Sequence, residues 1–484
     1  MTCNTQPSSI VTRPLNVINL GVDSFADPLA FAQVPVENCA WQPPAEGDAE
    51  LGWKLAELLN NPEIDAANEV ALSRFMEANP VLIGVGTAGQ TIPGFEGRML
   101  LHAGPPIAWE RMCGTQQGGV IGAIIYEGWA ETPEEARIMV EEGKVRLAPC
   151  HHYNSVGPMA GVTSPSMPVW IVENATHGNR TYCNFNEGTG KVLRFGSYND
   201  ETLNRLRFMA DILAPVIASG VANLPEPLEL KNIMAMALHM GDEIHNRNLA
   251  ATTLFFRQLA PAAVRGMANA PTGSPAAKSE NVAAALAFIS ATDHFFLNLT
   301  MPACEAMLDA AAGVPKSSLV TTMARNGVEF GIRISGLPDQ WFTAPSPYVD
   351  GLYFPGFGPE DAGRDLGDSA ITETAGVGGF AMASAPATIQ FVGGTVADAI
   401  RNSRVMRRIC LTTNPAFSLP ALDFAGTATG IDCRKVVDTG ILPAINTGIP
   451  HKEASIGQIG AGRTHAPLAC FTKAVAALYN TVKS

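Results

Sequence analysis

A change of composition near residue 200 constrains the fold more than any other feature of the sequence. Residues 200–315 are rich in Ala, Leu and Met at helical spacing, whereas both flanking stretches alternate short apolar runs with glycine- and proline-containing turns. Short apolar runs bounded by such turns are typical of strands. The sequence therefore predicts a mixed α/β, multidomain fold in which a helical domain is inserted between glycine-rich α/β domains.

Four regions are expected along the chain. Residues 1–60 form a small Rossmann-like βαβ element, with strands at 15–20 and 35–41 and a turn and helix between them. Because this element lacks a GxGxxG fingerprint, a dinucleotide is not indicated. Residues 61–199 form an α/β domain and 200–315 the helical domain. Residues 316–484 form a C-terminal α/β domain, which we expect to pack with 61–199 around the active site.

Composition excludes several classes of protein. The chain has 484 residues, of which 46% are hydrophobic and 16% charged, so it can bury a large core. Its net charge of −13 disfavours nucleic acid or an anionic membrane as partner. The nine cysteines include no CxxC pair, the first 14 residues lack the apolar core of a signal peptide, and the apolar runs are too short to span a bilayer. These features predict a soluble, cytoplasmic, reduced protein.

The segment CHHYNSVGPMAGVTS, residues 150–164, is the first of five polar segments framed by glycine or proline. Proline and glycine interrupt any regular helix there, so the segment is predicted to be a loop. Adjacent histidines point in different directions and rarely bind one ion together. Two interpretations remain open: one structural and one exposed histidine, or a loop in which His151, His152 and Asn154 contact substrate.

The second segment, NFNEGTGKVLRFG at 184–196, invites comparison with a phosphate-binding loop. The pattern GxxxxGK[ST] fails, because Phe185 stands where its first glycine belongs and Val192 follows the lysine. A simpler anion site using Lys191 and Arg194 is the alternative, with Asn186 and Glu187 beside it.

The third segment, MGDEIHNRN at 240–248, is predicted to lie on a helix whose polar face lines a wet cavity. Glu243 and Arg247, four residues apart, would form a surface pair on such a helix. His239 and Glu243 would also share a face, but a metal needs at least three ligands and only distant residues would complete the set. No cofactor is therefore predicted, and a metal stays the less favoured alternative.

The last two polar groups lie in the C-terminal region. TMARNGVEFGIRISG at 322–336 carries arginines that offer planar donors to a carboxylate or phosphate, although surface salt bridges are the alternative. GDSAITETAGVGG at 367–379 follows it. In NTGIPHKEASIGQIGAG at 446–462, polar side chains lie beside glycines whose N–H groups can approach an anion. No G-x-S-x-G elbow occurs, so a serine hydrolase of the α/β type is disfavoured.

Taken together, these strings resemble one bacterial family. LLHAGPPIAWERM, GAIIYEGWA, PCHHYNSVGPMAGVTSPSMP, GDEIHNRN, TDHFFLNL, WFTAP and the other segments quoted above are similar, over roughly residues 95–475, to the family that contains the AllG subunit of oxamate carbamoyltransferase. The resemblance implies carbamoyl transfer between phosphate and an amide nitrogen, with oxalurate and phosphate giving oxamate and carbamoyl phosphate. It also implies a place in purine or allantoin degradation and nitrogen metabolism, FdrA-like and AllH-like partner subunits, and a homo-oligomer.

The chemistry of this reaction assigns expected roles to the polar residues. Arg325, Arg333 and Lys452 are expected to bind anions, and His151, His152 and His451 to polarise a carbonyl or transfer a proton. Asp242, Glu243 and His245 would position the reacting groups or relay a proton. Further substrate or anion contacts are expected from the remaining polar residues of these segments, namely His102, Asn154, Asn186, Glu187, Lys191, Arg247, Asn248, Asn326, Ser369, Thr372, Glu373, Asn446 and Glu453.

One departure and two alternatives accompany this interpretation. The S-x-R-T and H-P-x-Q motifs of the ordinary aspartate and ornithine transcarbamoylases are absent, and the nearest string is GAGRT at 460–464. The chain would therefore catalyse carbamoyl transfer with motifs that differ from those of the ordinary transcarbamoylases. A hydrolase or lyase of a ureido or amide compound is one alternative, and a non-catalytic scaffold subunit holding an FdrA-type partner is the other. The clustered polar loops favour catalysis over a scaffold.

Overall fold

The computed structural model describes residues 15–39 and 43–483. The first 14 residues and the end of the predicted second strand, at 40–41, lie outside the described residues. The strands are β1 (Val17–Leu20), β2 (Val36–Cys39), β3 (Pro80–Thr87), β4 (Met99–His102), β5 (Arg146–Pro149), β6 (Ser155–Val156), β7 (Pro168–Asn174), β8 (Arg180–Asn184), β9 (Leu228–Glu229), β10 (Val320–Asn326), β11 (Glu329–Ile334), β12 (Leu337–Pro345), β13 (Asp350–Tyr353), β14 (Leu366–Gly367), β15 (Cys410–Leu419), β16 (Ala425–Ile431), β17 (Ala444–Pro450) and β18 (Gln458–His465).

The longest run of α-helices lies in the central region, at residues 200–311. The α-helices are α1 (Asp27–Phe31), α2 (Ala49–Leu59), α3 (Pro62–Glu77), α4 (Ala88–Thr91), α5 (Gly114–Tyr126), α6 (Pro133–Glu141), α7 (Asp200–Phe208), α8 (Ala214–Ala222), α9 (Leu230–His239), α10 (Leu249–Asn269), α11 (Ser279–Ser290), α12 (Leu297–Ala311), α13 (Ile371–Thr374), α14 (Ile389–Val392), α15 (Val396–Val405), α16 (Cys433–Thr439) and α17 (Leu468–Lys483). In the described residues, no helix combines the length and apolar character needed to cross a membrane.

The mixed α/β class predicted from the sequence is confirmed, since the strands form several separate sheets among the helices. The largest sheet has the order β6-β8-β7-β3-β9, and a second has the order β12-β11-β10-β14. A three-stranded sheet, β13-β18-β17, carries the predicted fifth segment on its last two strands. Two-stranded sheets join β15 to β16, β4 to β5 and β1 to β2. The boundaries of the four predicted domains stay a prediction.

Helix α12 lies at the centre of the largest hydrophobic cluster and organises the molecule around the polar loops. Thirteen of its fifteen residues are buried, because α3, β7, β8 and α13 all pack against it. A helix that is buried on all sides is normally apolar throughout. Glu305, which is 0% exposed, is therefore an exception in this helix and requires a partner.

Close backbone approaches bring the glycine-framed segments together over this helix. Gly104 lies against the backbone of Arg325, and a Cβ at that position would fall 2.4 Å from the Arg325 carbonyl carbon. Similarly, a Cβ at Gly367 would fall 2.6 Å from the backbone nitrogen of Met159. Only residues without a side chain permit such contacts, particularly at the positive φ of 84° and 120° found at these two positions. The polar loops therefore meet because their glycines allow it.

Candidate active site

The segment 240–248 is an irregular loop between α9 and α10, so the predicted helix at this position is wrong. Glu243 explains the difference. Its carboxylate accepts hydrogen bonds from the backbone N–H groups of His245 at 2.5 Å, Asn246 at 2.6 Å and Arg247 at 3.1 Å. A side chain that captures its own following N–H groups competes with helical hydrogen bonding. Burial raises the pKa of Glu243 to about 7, an effect that the charge of nearby Glu373 reinforces.

Arg247 also differs from expectation within this loop. Its Nε lies 3.5 Å from Oδ1 of Asp242, so the predicted pair with the Glu243 side chain is not formed. Burial raises the pKa of Asp242 to about 6, although its Oδ2 accepts the backbone N–H of Ala251 at 2.9 Å. Asn248 donates to the backbone carbonyl of His245 at 2.7 Å. These contacts fix the loop on which His245 stands.

His245 and Glu373 form a buried histidine–carboxylate pair. Nδ1 of His245 lies 2.8 Å and 3.0 Å from the two oxygens of Glu373, which is on α13. Glu373 also accepts from the backbone N–H of Gly379 at 2.7 Å and from the hydroxyl of Thr372 at 3.0 Å. Because Nδ1 must carry the proton to donate to a carboxylate, Nε2 is the basic nitrogen. Within the described chain, no hydrogen bond reaches that Nε2.

Asn446, on β17, adds an unsatisfied amide to this pair. Its backbone N–H points to Glu373 at 3.3 Å, which places it next to the histidine–carboxylate pair. The side chain is 0% exposed, and neither of its amide atoms has a partner among the described residues. Buried polar groups are nearly always paired, so this amide is available to bind a ligand.

His294 borders the same loop, and Arg194 lies near His294. His294 contacts the backbone carbonyl of Asn246 at 2.5 Å through its Nε2. Burial lowers the pKa of His294, and the nearby positive charge of Arg194 lowers it further, with a smaller contribution from His245. Arg194 has no ion pair in the described part of the chain, and its Nε is buried without a partner. We refer to His245, Glu373, Asn446, His294 and Arg194 as the His245 site.

Neighbouring predicted residues support Arg194 and His294. Glu187 accepts the backbone N–H groups of Leu193 at 2.5 Å and Arg194 at 3.1 Å. Burial lowers the pKa of Arg194, and the charge of Glu187 opposes this effect. Asn186 donates to the carbonyl of His294 at 2.8 Å. Lys191, by contrast, is exposed to solvent. Of the two cations predicted in this segment, Arg194 is the one near enough to His294 to affect its pKa.

His151 belongs to a second buried cluster. Its Nδ1 lies 2.7 Å from Glu305 on α12, and its Nε2 lies 3.5 Å from Asp368. Burial alone would lower the pKa of His151, but the charges of Glu305 and Asp368 raise it to about 9. Asp368 also accepts from the backbone N–H groups of Gly104 at 2.7 Å and Gly157 at 3.0 Å. The charged His151 therefore ties three glycine-framed loops to the central helix.

His152 has the opposite character, although it is the next residue. Its Nε2 accepts the indole N–H of Trp341 at 3.0 Å, and Arg333 stacks on the same indole with 5.2 Å between the guanidinium carbon and the ring centroid. Partial burial lowers the pKa of His152, and the charges of Arg333 and His151 lower it further. His152 is thus a neutral, surface-facing histidine, whereas His151 is a buried cation.

The predicted anion ligand Arg325 is already paired within the protein. Its guanidinium makes a bidentate contact with Asp365 at 2.7 Å and 3.0 Å and donates to the carbonyl of Gly367 at 2.7 Å. It also reaches the hydroxyl of Thr447 at 3.2 Å and that of Ser369 at 3.5 Å. All of these groups are buried. The arrangement supports a role in joining β10, β14 and β17, next to the His245 site.

The remaining predicted residues lie in their own local environments. His102 contacts the carbonyl of Ala103 at 2.9 Å and is buried, and Asn326 accepts the N–H groups of Val328 and Glu329. His451 accepts the N–H of Glu453 at 2.9 Å, and Lys452 donates to the carbonyl of Glu360 at 2.7 Å. Asn154 is exposed in a left-handed conformation. Direct substrate contact by these residues stays a prediction.

Several residues of these clusters were not selected from the sequence. Glu305, Asp365 and Thr447 were missed, and so were His294 and Trp341, although TDHFFLNL and WFTAP contain the last two. Glu305 could have been selected from the sequence, because it lies among mostly apolar residues of a predicted helix and a carboxylate in such a setting needs a buried partner. In the ranges that the structure covers, no group of three or more His, Cys, Asp or Glu residues could hold a metal ion.

Comparisons with known proteins agree on one family. Residues 145–369 match the family model described as oxamate carbamoyltransferase subunit AllG. The chain is 47% identical over 414 residues to the Escherichia coli (strain K12) protein named oxamate carbamoyltransferase subunit AllG, covering 85% of this chain and 97% of that protein. It is 46% identical over 470 residues to the uncharacterized protein YahG of the same organism, covering 96% and 98%.

A solved structure shares the fold. It is the crystal structure of a conserved protein of unknown function from Enterococcus faecalis V583, with a TM-score of 0.84 and 45% sequence identity. The match covers 87% of this chain and 98% of that one. The arrangement of sheets and helices described above is therefore that of a known structural group.

Proposed function

Because the chain belongs to the family of oxamate carbamoyltransferase subunit AllG, we propose that its His245 site moves a carbamoyl group between phosphate and the amide nitrogen of a small oxamate-like acid. The relative's name describes a subunit, so the proposal includes partner subunits of FdrA-like and AllH-like type and a place in purine or allantoin nitrogen metabolism. One observation carries the assignment to this site. The basic Nε2 of His245 is unpaired in the described chain, while Glu373 holds the opposite nitrogen.

The reaction requires one proton to move at nitrogen. In the degradative direction, a phosphate oxygen attacks the ureido carbonyl carbon of oxalurate, the bond from that carbon to the oxamate nitrogen breaks, and this nitrogen takes up a proton. In the reverse direction, the weakly nucleophilic amide nitrogen loses its proton as it attacks carbamoyl phosphate. A histidine whose tautomer is fixed by a carboxylate suits both steps, as acid in one and as base in the other.

The reactants are anions, yet the chain carries a net charge of −13. A local cation is therefore needed, and Arg194 is one without an ion pair in the described part of the chain. Glu187 is a nearby carboxylate, but Arg194 makes no direct ion pair with it in the described residues, and a bound phosphate or carboxylate would supply a direct counter-ion. The unsatisfied amide of Asn446 offers a donor for the carbamoyl oxygen, where negative charge develops during attack.

The His245 site is closed in the structure. The side chain of His245 is only 4% exposed, whereas Arg247, two residues further along the same loop, is 35% exposed. Arg247 therefore marks the solvent side of the loop at 240–248. We infer that substrate enters past Arg247 when this loop moves, and that closure afterwards excludes water, which would otherwise hydrolyse the carbamoyl group.

Oxamate release from oxalurate tests the proposal. The purified chain, alone and with an FdrA-like and an AllH-like partner, is incubated with oxalurate and with phosphate or arsenate. We expect anion-dependent release of oxamate, and loss of that release in His245→Asn. The matched control is His239→Asn, an exposed histidine that contacts Ser418, which should retain activity.

Each other outcome identifies a different function. Release that does not depend on an added anion would make the chain a hydrolase or lyase of a ureido compound. No turnover of any ureido acid, even with both partners present, would leave a scaffold subunit. Full activity of His245→Asn within an active complex would place the chemistry outside the His245 site.

A further inference from the structure

The N-terminal unit, defined as residues 15–39, exposes most of its large apolar side chains. Strands β1 and β2 pair in parallel, from Val17 opposite Val36 to Leu20 opposite Cys39. Ile18 is 68% exposed, Leu20 is 64% exposed and Phe31, at the end of α1, is 93% exposed. Parallel sheets in proteins are covered on both faces, and an isolated two-stranded sheet is marginally stable. Among the described residues, the unit therefore lacks the covering layer that such a sheet needs.

The exposed face of the two-stranded sheet is apolar and acidic. Side chains alternate along a strand, and Asn19 is buried, whereas Ile18 and Leu20 lie together on the opposite, open face. Glu37, the pairing partner of Ile18, shares that face. Residues 15–39 contain three acidic residues and no Lys, Arg or His. A surface that covers this unit should therefore be apolar and positively charged.

The same chain carries a surface of that kind. A groove of about 520 Å³ along α15 is lined by Ala397, Ile400, Arg401, Arg404, Val405 and Arg408. We call it the arginine groove. Its three arginines are exposed, and neither Arg404 nor Arg408 forms an ion pair with any described residue. In a chain of net charge −13, an apolar groove with two unpaired arginines is complementary to the N-terminal unit in both charge and polarity.

We propose that the N-terminal unit of one copy docks into the arginine groove of a second copy, and that the exchange is reciprocal. Ala45, which follows the unit, packs in the same hydrophobic cluster as Met406 and Ile409, which follow the groove helix. The segment that follows the unit and the segment that follows the groove helix thus adjoin one hydrophobic cluster. Two copies facing each other across a two-fold axis can then exchange units, which closes the assembly as a dimer.

The experiment measures the mass of the full-length chain in solution by sedimentation equilibrium. We expect a dimer for the wild type. In Arg404→Glu/Arg408→Glu the dissociation constant should rise by about 100-fold, because reversed charges then face the acidic unit. Ile18→Asp/Leu20→Asp should weaken the dimer similarly. All four positions lie on the surface, and circular dichroism checks that each variant is folded.

Mixing and a charge-matched control make the assignment specific. Equal parts of the groove variant and the strand variant should form a mixed dimer, because one intact unit can still bind one intact groove.

Arg137→Glu/Lys144→Glu carries the same charge change on exposed positions around α6 and should leave the wild-type dimer intact. A monomeric wild type would overturn the proposal, as would a groove variant that dimerises with wild-type affinity. None of these positions belongs to the His245 site, so this result is independent of the proposed function.

Discussion

Nδ1 of His151 lies 2.7 Å from Oε1 of Glu305, and both side chains are completely removed from solvent. This contact joins the loop at 150–156 to the central helix α12. Because Asp368 faces the other nitrogen of His151, the imidazolium lies between two carboxylates. The arrangement favours a positioning role for His151, since its ring links helix α12 to Asp368, which precedes the helix that carries Glu373.

The first prediction concerns the stability that this contact provides. The pKa of His151 is raised from its ordinary value of 6.5 to about 9 in the folded protein. The stabilisation from its charge is therefore fully present below pH 6.5 and is lost as pH rises through about 9. A shift of this size corresponds to about 3 kcal/mol. In His151→Gln, the loss in the free energy of unfolding should be large at pH 6 and small at pH 10.

Urea unfolding at the two pH values measures this difference. The control is His177→Gln, an exposed histidine that contacts the carbonyl of Arg74, and it should change stability little at either pH. An equal loss for His151→Gln at both pH values would mean that packing, and not charge, explains the role of His151.

The second prediction concerns Glu243, whose pKa burial raises from 4.5 to about 7. The folded protein then holds this proton to a higher pH than the unfolded chain does, so stability falls as pH rises from about 4.5 to about 7. The full effect is about 3 kcal/mol. Glu243→Gln should remove this pH dependence, while Glu134→Gln, an exposed acid on α6, should keep it. Calorimetric unfolding at pH 5 and pH 8 measures this pH dependence. If stability falls between these pH values in Glu243→Gln as much as in the wild type, the raised pKa of Glu243 is not its cause.

The loop around Glu243 could not be predicted from the sequence, whereas the helical region that surrounds it could. The helical composition of 200–315 was visible because helical periodicity is local, and the mixed α/β class followed from it. The segment 240–248 was assigned wrongly, because three backbone hydrogen bonds to one carboxylate leave no trace in periodicity. Lying 154 positions apart, His151 and Glu305 form a contact that no local pattern contains.

The roles of the predicted arginines also depend on contacts that the sequence does not show. A sequence shows that Arg325 has donors for an anion, but it does not show that Asp365 already occupies them. Conversely, Arg194 looked secondary within a failed phosphate-loop pattern, and it is the arginine of the His245 site that lacks an ion pair in the described chain. The residue type shows which donors a side chain has. Its partners in the folded protein determine whether those donors are available to a ligand.

The third prediction addresses the coupling of Glu373 to His245. Glu373→Gln keeps the shape of the side chain but removes the charge that fixes the proton on Nδ1. Under the proposed function, kcat for oxamate release should fall by about 100-fold or more, because the wrong tautomer then faces the substrate. KM for phosphate should change little, since among the described residues the hydrogen bonds of Glu373 go to His245, Thr372 and backbone N–H groups. A rise in KM with unchanged kcat would contradict an orienting role.

The last prediction tests Arg194 as the anion ligand. Phosphate binding to the folded state should raise the midpoint of thermal unfolding of the wild type, by an amount that grows with phosphate concentration. In Arg194→Gln, this increase should be lost, because the cation without an ion pair in the described chain is gone. Arg207→Gln is the matched control, since this exposed arginine contacts only Asn204 and should respond to phosphate like the wild type. Differential scanning fluorimetry with phosphate, and with chloride at equal ionic strength, separates specific binding from screening. An undiminished response to phosphate in Arg194→Gln would place the anion site elsewhere, and because this readout needs no turnover, it holds whether or not the chain is active without its partners.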